Sequence, residues 1–413
     1  MCNNGVLLRG NTLFFNLELI MDINRFNKVD SFNGSLAGLL SQLSANQGRK
    51  ADIVQSTSNM QLRTSTAGYL PHHSQAYKGD QENVSEIIIE ADRGMPTLTT
   101  ALNPVAFNQL AQKAGIATRD ARRFQDYYPA EFDQLVNAIF ARETNNRMIR
   151  AYTSDDDNYF LGRAFVSDAF KTYDNYDLLE AALPPLLDNT EADWRTINAT
   201  VTEQKMYIRL MSENFRGTGA AVGDIMAAGI VISNSEVGMG SVSVAEMVMT
   251  LACLNGMQTQ NIQRSAHIQS ARGEESFGLL ADDTKQKDNE LTSLKMRDYV
   301  AAYSSRENFD NTLQKFRAAA GDIVQADAQT AVNNLGTVLN LTKSQTSSVL
   351  DGLLQTVGQS GYAGNPVSRA TLVNAVTAVG NSVDADQVDD WQKLGGRVLD
   401  LPRRDWDRVA AAA

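Results

Sequence analysis

The chain has 413 residues, 43% hydrophobic and 21% charged, which excludes a disordered chain, a collagen and a coiled-coil rod and suits two or three domains. Lys and Arg number 37 against 48 Asp and Glu, a formal net charge of −11, so nothing pulls the whole molecule toward nucleic acid and any such binding must come from a local patch. Cys2 and Cys253 cannot build a disulfide scaffold, and His72, His73 and His267 lack zinc-type spacing, so neither a structural metal nor a cofactor is expected.

Residues 1–20 read as an upstream extension, since Met21 opens a second start and the apolar Leu13–Ile20 run carries Asn16 and Glu18 without a cleavage site after it. No apolar run approaches the roughly 18 residues of a membrane span, so no membrane partner is expected, and the scarcity of cysteine suits a reducing cytoplasm. From Asn27 to Asp80 the chain is rich in Ser, Asn, Gln and Gly, and residues 1–83 together read as a flexible arm. A first strand follows at Val84–Glu90, where three consecutive isoleucines suit burial on both faces.

Asn103-Pro104 is an N-cap followed by proline at the first helical position, and Phe107, Leu110, Ala111 and Ala114 continue at helical spacing up to Gly115. Thr118 caps a short helix through Arg123, and Pro129 opens a third with Phe132, Leu135, Val136, Ile139 and Phe140 on its apolar stripe. Met148–Ser154 and Tyr159–Val166 flank a turn of acids and read as a hairpin, with further strands at Thr200–Met211, Ala228–Ser233 and Ser241–Cys253. Beyond Leu279 the pattern turns helical. Thr342 and Gln345 form a capping box, Asn365-Pro366 opens another helix, and Asp384 caps a last one ended by Gly395-Gly396. The expected fold is α+β: a mixed, mostly antiparallel β core at 84–279 with helical hairpin elements on its N-terminal side, and an all-helical part at 280–413.

Catalytic motifs are missing: there is no GxSxG elbow and no phosphate-binding GxxxxGK[ST] loop. Gly217-Thr218-Gly219 with Gly223 approaches a dinucleotide fingerprint, but its last spacing is one residue too long. Asp155 and Asp157, in the turn of the expected hairpin, are the only acids with any claim on a metal, and a solvated turn explains them as well.

Arginine and aromatic residues concentrate between Arg119 and Tyr176, where 12 of the 30 aromatics fall beside Arg119, Arg122, Arg123, Arg142, Arg147, Arg150, Arg163 and Lys171. Arginines on phosphates and rings such as Tyr152 and Tyr159 under unstacked bases form the physical recipe for single-strand binding. The same window holds more acids than bases, so a second reading pairs these arginines with carboxylates inside a packed hairpin. Leu110–Arg119 imitates the turn of a helix-turn-helix, with Arg119, Arg122 and Arg123 on the second helix, although an ordinary helical hairpin has the same pattern.

The run Gly229-Ile230-Val231-Ile232-Ser233-Asn234-Ser235-Glu236-Val237-Gly238, followed by Leu251-Ala252-Cys253-Leu254-Asn255-Gly256-Met257, resembles the phage/plasmid-like proteins known as domain-of-unknown-function family 932. Ser167–Phe170 through Asp174-Asn175, and Leu372–Thr377, fit the same pattern, so the likeness extends over roughly residues 91–410. Ala370 and Thr371 depart from it, standing where the family usually has an aromatic. The resemblance implies a phage, prophage or plasmid origin and assigns no activity. By residue chemistry Asn234, Ser235 and Gly238 form a bend after a strand, and Asn255-Gly256 a type I′-like turn. The leading expectation is a non-catalytic DNA-transaction protein that binds or anneals single-stranded DNA and works as a homo-oligomer. The alternative is an interaction module docking a host or phage protein through its acidic helical surface.

Overall fold

Runs of β-branched and aliphatic residues build two separate sheets in the computed structural model, which describes residues 6–8, 36–66, 83–90, 97–153, 159–219, 224–251, 255–265, 280–358 and 366–412. The first sheet contains β1 (Val6–Leu8), β2 (Lys50–Ser56), β3 (Met60–Thr66), β4 (Asn83–Ile89), β5 (Leu98–Leu102), β6 (Asn146–Thr153) and β7 (Tyr159–Ser167), in the order β1-β2-β6-β7-β5-β4-β3. All its pairings are antiparallel except β5–β7, whose partners run from Thr99↔Tyr159 to Leu102↔Gly162. A parallel pair needs a crossover. That crossover is made by α2 (Pro104–Lys113), α3 (Thr118–Tyr127), α4 (Pro129–Arg142) and β6.

The caps act where the residue types place them. Asn103 Oδ1 accepts the Ala106 N–H at 2.8 Å and Pro104 takes the first helical position. α3 runs four residues beyond the expected Arg123, to Tyr127, and its N-cap is Ala117, with no side-chain cap. Phe107, Leu110, Phe132, Val136 and Phe140 then pack on Ile53, Ile87, Ile149 and Phe165 to form the core of this half.

The second sheet is a meander of β8 (Trp194–Val201), β9 (Met206–Thr218), β10 (Ile225–Asn234), β11 (Val242–Thr250) and β12 (Asn255–Ser265). The strand expected over Thr200–Met211 divides between β8 and β9, because Thr202 Oγ1 accepts the Gln204 and Lys205 N–H groups at 3.1 Å and forms a turn. Gly217-Thr218-Gly219 leads from β9 back into β10 and not into a helix, so the setting of a dinucleotide fingerprint is absent.

The segment expected as a flexible arm carries structure from Leu36 to Thr66: α1 (Leu36–Gln47), β2, a 3-10 turn and β3. Four leucines suffice. Leu36, Leu39, Leu40 and Leu43 recur at helical spacing and are buried with Leu178, Leu183 and Trp194. The polar strands β2 and β3 are stabilised by ladder partners far along the chain, β6 and β4.

Among the described residues the remaining helices are α5 (Asn175–Asp188), α6 (Asp282–Tyr303), α7 (Arg306–Ala319), α8 (Ala328–Leu339), α9 (Lys343–Gly358), α10 (Arg369–Val379), α11 (Ala385–Leu399) and α12 (Arg403–Ala410). Thr342 and Gln345 make the capping box of α9, with bonds of 2.9 and 3.2 Å. The helix expected from Asn365-Pro366 starts at Arg369, capped by Ser368 and Thr371. Gly395-Gly396 does not end α11: a Cβ at Gly395 would lie 2.3 Å from the Thr377 methyl, so glycine here lets α11 and α10 approach. The C-terminal helices share one core with the five-stranded sheet, joining Ile208, Ile230 and Val248 to Phe316, Leu353, Val376 and Trp406.

The outer edge of the first sheet is β3, and side chains of α4 occupy it. Asn137 acts as a substitute peptide group: its Oδ1 accepts the Leu62 N–H at 2.7 Å and its Nδ2 donates to the Leu62 carbonyl at 3.0 Å. Asp133 accepts from the Thr64 N–H at 2.6 Å and the Thr64 hydroxyl at 2.8 Å. Asn137→Ala leaves both Leu62 groups without these partners and should cost about 1–3 kcal/mol, seen as a lower urea midpoint with unchanged slope.

Candidate nucleic-acid interface

β6 and β7 alternate side chains between faces, and on one face Arg150 meets a set of charges from four other segments. Arg150 is 1% exposed. Its Nε donates to Asp52 Oδ1, its Nη2 to Asp174 Oδ1 and its Nη1 to the Glu236 carbonyl, each at 2.8 Å. Arg163 Nη1 donates to Glu236 Oε2 and to the Tyr152 hydroxyl, both at 2.9 Å, while its guanidinium lies 4.1 Å from the Tyr152 ring centroid. Lys50 Nζ contacts Glu236 Oε1 at 2.8 Å and Asp174 Oδ2 at 3.3 Å, and the Asn175 N–H donates to the same Glu236 oxygen at 2.8 Å. Three cations thus face three carboxylates in a largely buried network. Burial alone would raise the Glu236 carboxyl, but Lys50, Arg163 and Arg150 overcome it and pull the group down to about 2. Asp174 and Glu236 likewise outweigh burial at Lys50 and raise its ammonium.

Arg150 and Arg163 therefore take the packed-hairpin reading, with Asp52, Asp174 and Glu236 as their carboxylate partners. Lys171 is buried against Asp288 and Thr292 of α6. Tyr159 donates to Glu86 Oε1 at 3.0 Å, and burial beside that carboxylate raises its phenol. Arg122 lies over the Phe107 ring at 4.7 Å and donates to the Pro104 carbonyl at 2.9 Å, which ties α3 to α2. Arg147 donates to the neighbouring Asn146 carbonyl at 3.3 Å. Asp155 and Asp157 lie outside the described residues.

The Asn234–Gly238 block supplies part of the network. Asn234 Nδ2 donates to the Tyr173 carbonyl and to Asn175 Oδ1, both at 3.0 Å, and the Ser235 hydroxyl donates to the Gln204 carbonyl at 2.6 Å. Gly238 has φ +78° and lies against the Phe170 ring, where no side chain fits comfortably. Together these bonds hold the bend that delivers Glu236 to β6 and β7. Asn255-Gly256 is not the turn itself. The two residues pair with Thr250 and Met249 at the start of β12, and a Cβ at Gly256 would lie 2.6 Å from Met247 Sδ, so close packing accounts for the glycine.

Sequence reasoning missed Lys50 and Asp52. They share one face of β2 by period two and stand opposite Tyr152 and Arg150 in the ladder.

Arg119, Arg123 and Arg142 remain exposed and have no ion-pair or hydrogen-bond partner among the described residues. α3 turns Ala121 and Gln125 inward, with Gln125 Nε2 donating to Ser85 Oγ at 3.0 Å. Its other side presents Arg119, Asp120, Arg123, Phe124 and Tyr127 to solvent. Tyr127 is 74% exposed, and Tyr128 at the start of α4 is 48% exposed with its ring edge-on to Phe124 at 6.1 Å. A groove of about 540 Å³ runs between this side and the α2–α3 turn at Gly115–Ala117.

No family profile, curated protein or solved structure matches this chain.

Removing one member of the buried network leaves its partners charged and dry, so Arg150→Met should lose about 3–5 kcal/mol at neutral pH, measured by urea denaturation. The Glu236 carboxyl titrates lower in the folded chain than its ordinary 4.5. Its stabilisation is therefore complete above that value and disappears as pH falls toward about 2. Glu236→Gln should flatten the fall of unfolding free energy over that interval.

Proposed function

We propose that this chain is a non-catalytic DNA-transaction protein of a mobile element that binds single strands through the outer side of α3 and the start of α4. The observation that carries this reading is the juxtaposition of two guanidinium groups without a partner among the described residues, Arg119 and Arg123, with three exposed rings, Phe124, Tyr127 and Tyr128. Positions 119 and 123 are one helical turn apart and so lie on one side of α3. Guanidinium groups neutralise successive phosphates, and exposed rings stack on bases that are already unpaired. Exposed aromatic side chains carry a hydration cost that a stacked base would relieve.

The resemblance of the Asn234–Gly238 and Asn255–Met257 blocks to phage/plasmid-like proteins supports the mobile-element part of the proposal. With a net charge of −11 the rest of the molecule adds no attraction, so each patch binds weakly and several copies on one strand multiply the effect. The buried hairpin arginines serve by fixing the architecture and not by contact.

The test is fluorescence anisotropy of a labelled oligonucleotide, single-stranded and duplex, across a salt series. Single strands should bind more tightly, with a logarithmic salt slope of about −0.7 per phosphate neutralised. Tyr127→Ala should weaken binding by about 1–3 kcal/mol, roughly 5- to 150-fold. Arg119→Ala with Arg123→Ala should reduce the slope. Arg142→Ala, about 20 Å away at the far end of α4, should bind like the parent. Flat traces at micromolar protein would overturn the reading in favour of a docking module, which a partner pull-down would then identify.

A further inference from the structure

We infer that the groove beside α3 is a base pocket that prefers guanine, an inference that rests on the single-strand reading above. The groove lies between the Gly115–Ala117 turn and the side chains of Asp120, Arg123, Phe124 and Tyr128, and its volume of about 540 Å³ falls within the roughly 300–1,000 Å³ of small-ligand sites. Asp120 and Arg123 stand three residues apart on one helix and both line the groove, yet neither bonds the other or any further described side chain. The groove thus offers a carboxylate that only accepts, a guanidinium that only donates and two rings, with all their recognition capacity unspent.

That set selects its ligand by exclusion. A phosphate would suit Arg123 but is repelled by Asp120, and an ammonium group meets the opposite conflict. A neutral, flat group with donors on one edge and acceptors on another satisfies both charges while stacking on Phe124 or Tyr128. Nucleobases are such groups. Guanine alone among the four DNA bases carries two adjacent donors, N1–H and the N2 amino group, which match the two oxygens of a carboxylate. It also carries two adjacent acceptors, O6 and N7, which match the guanidinium fork. Adenine and cytosine each present one amino donor, and thymine presents a single ring N–H. Arg119, one turn away from Arg123 on the exposed side, is left for the phosphate of the same strand.

The test uses the full chain and fluorescence-labelled thymidine oligonucleotides that differ only at one central position: dT, dG, dA, dC, deoxyinosine or 7-deaza-dG. The dG strand should bind at least about fivefold more tightly than the all-dT strand, the low end of base discrimination by a bidentate pair. Deoxyinosine lacks the N2 amino group and should lose most of that advantage; 7-deaza-dG lacks N7 and should lose part of it. Asp120→Asn should bring the dG and dT strands to within about twofold of one another. Equal affinity of the parent protein for the dG and dT strands, or a preference that survives Asp120→Asn, would overturn the guanine pocket while leaving single-strand binding intact. Failure to bind every strand would remove the single-strand reading as well. Guanosine monophosphate should displace the dG strand only at concentrations far above that of the strand. Displacement at comparable concentrations, unaffected by Arg119→Ala, would overturn the strand-borne ligand and make this a free-nucleotide site.

Discussion

Six charges, four of them fully buried, tie the two sheets to each other. Lys50, Asp52, Arg150 and Arg163 come from β2, β6 and β7 of one sheet, Asp174 immediately precedes α5, and Glu236 follows β10 of the other. Ions are taken out of water at great cost, and only close, directional pairing offsets it. Hydrophobic contact would tolerate small sliding between the halves, whereas a guanidinium committed to two carboxylates and a carbonyl has one acceptable position. The bend at Asn234–Gly238, with its positive-φ glycine, places Glu236 at that position at the end of β10.

The network also sorts the arginines of one sequence window into two kinds. Arg150 and Arg163 face inward, where carboxylates meet them; Arg119 and Arg123 face outward on α3, with no carboxylate bonded to them among the described residues. Composition cannot make this distinction, because the two kinds share a window and a neighbourhood of tyrosines. The difference comes from the partner segments, which lie 98 residues away at Asp52 and 86 residues away at Glu236 for Arg150.

Local signals were legible in the sequence and distant ones were not. Asn103-Pro104, Pro129 and the Thr342–Gln345 box declared their helices, since a cap and its helix lie within four residues of each other. The β6–β7 hairpin was equally plain. β2 and β3 were hidden by polar composition, because they bury only the apolar pairs Ala51 and Ile53, and Met60 and Leu62, and depend for the rest on ladder partners elsewhere in the chain. Gly395-Gly396 and Asn255-Gly256 read as punctuation but answer to packing against Thr377 and Met247, contacts that no local window contains. On the outer face, Arg119, Arg122 and Arg123 were visible as a group, but only the structure separates the helix-locking Arg122 from its two exposed neighbours.

The side chains lying along β3 restrict how copies of this chain can join. Open-ended growth by strand addition needs a free donor edge and a free acceptor edge on every copy, and Asn137 and Asp133 already satisfy groups on one of them. Continuous sheet across copies therefore cannot propagate through that side of the seven-stranded sheet. An assembly that places this side of the molecule against a neighbour would therefore be joined there through side-chain surfaces, and such a joint is reversible in a way that a shared hydrogen-bond ladder is not.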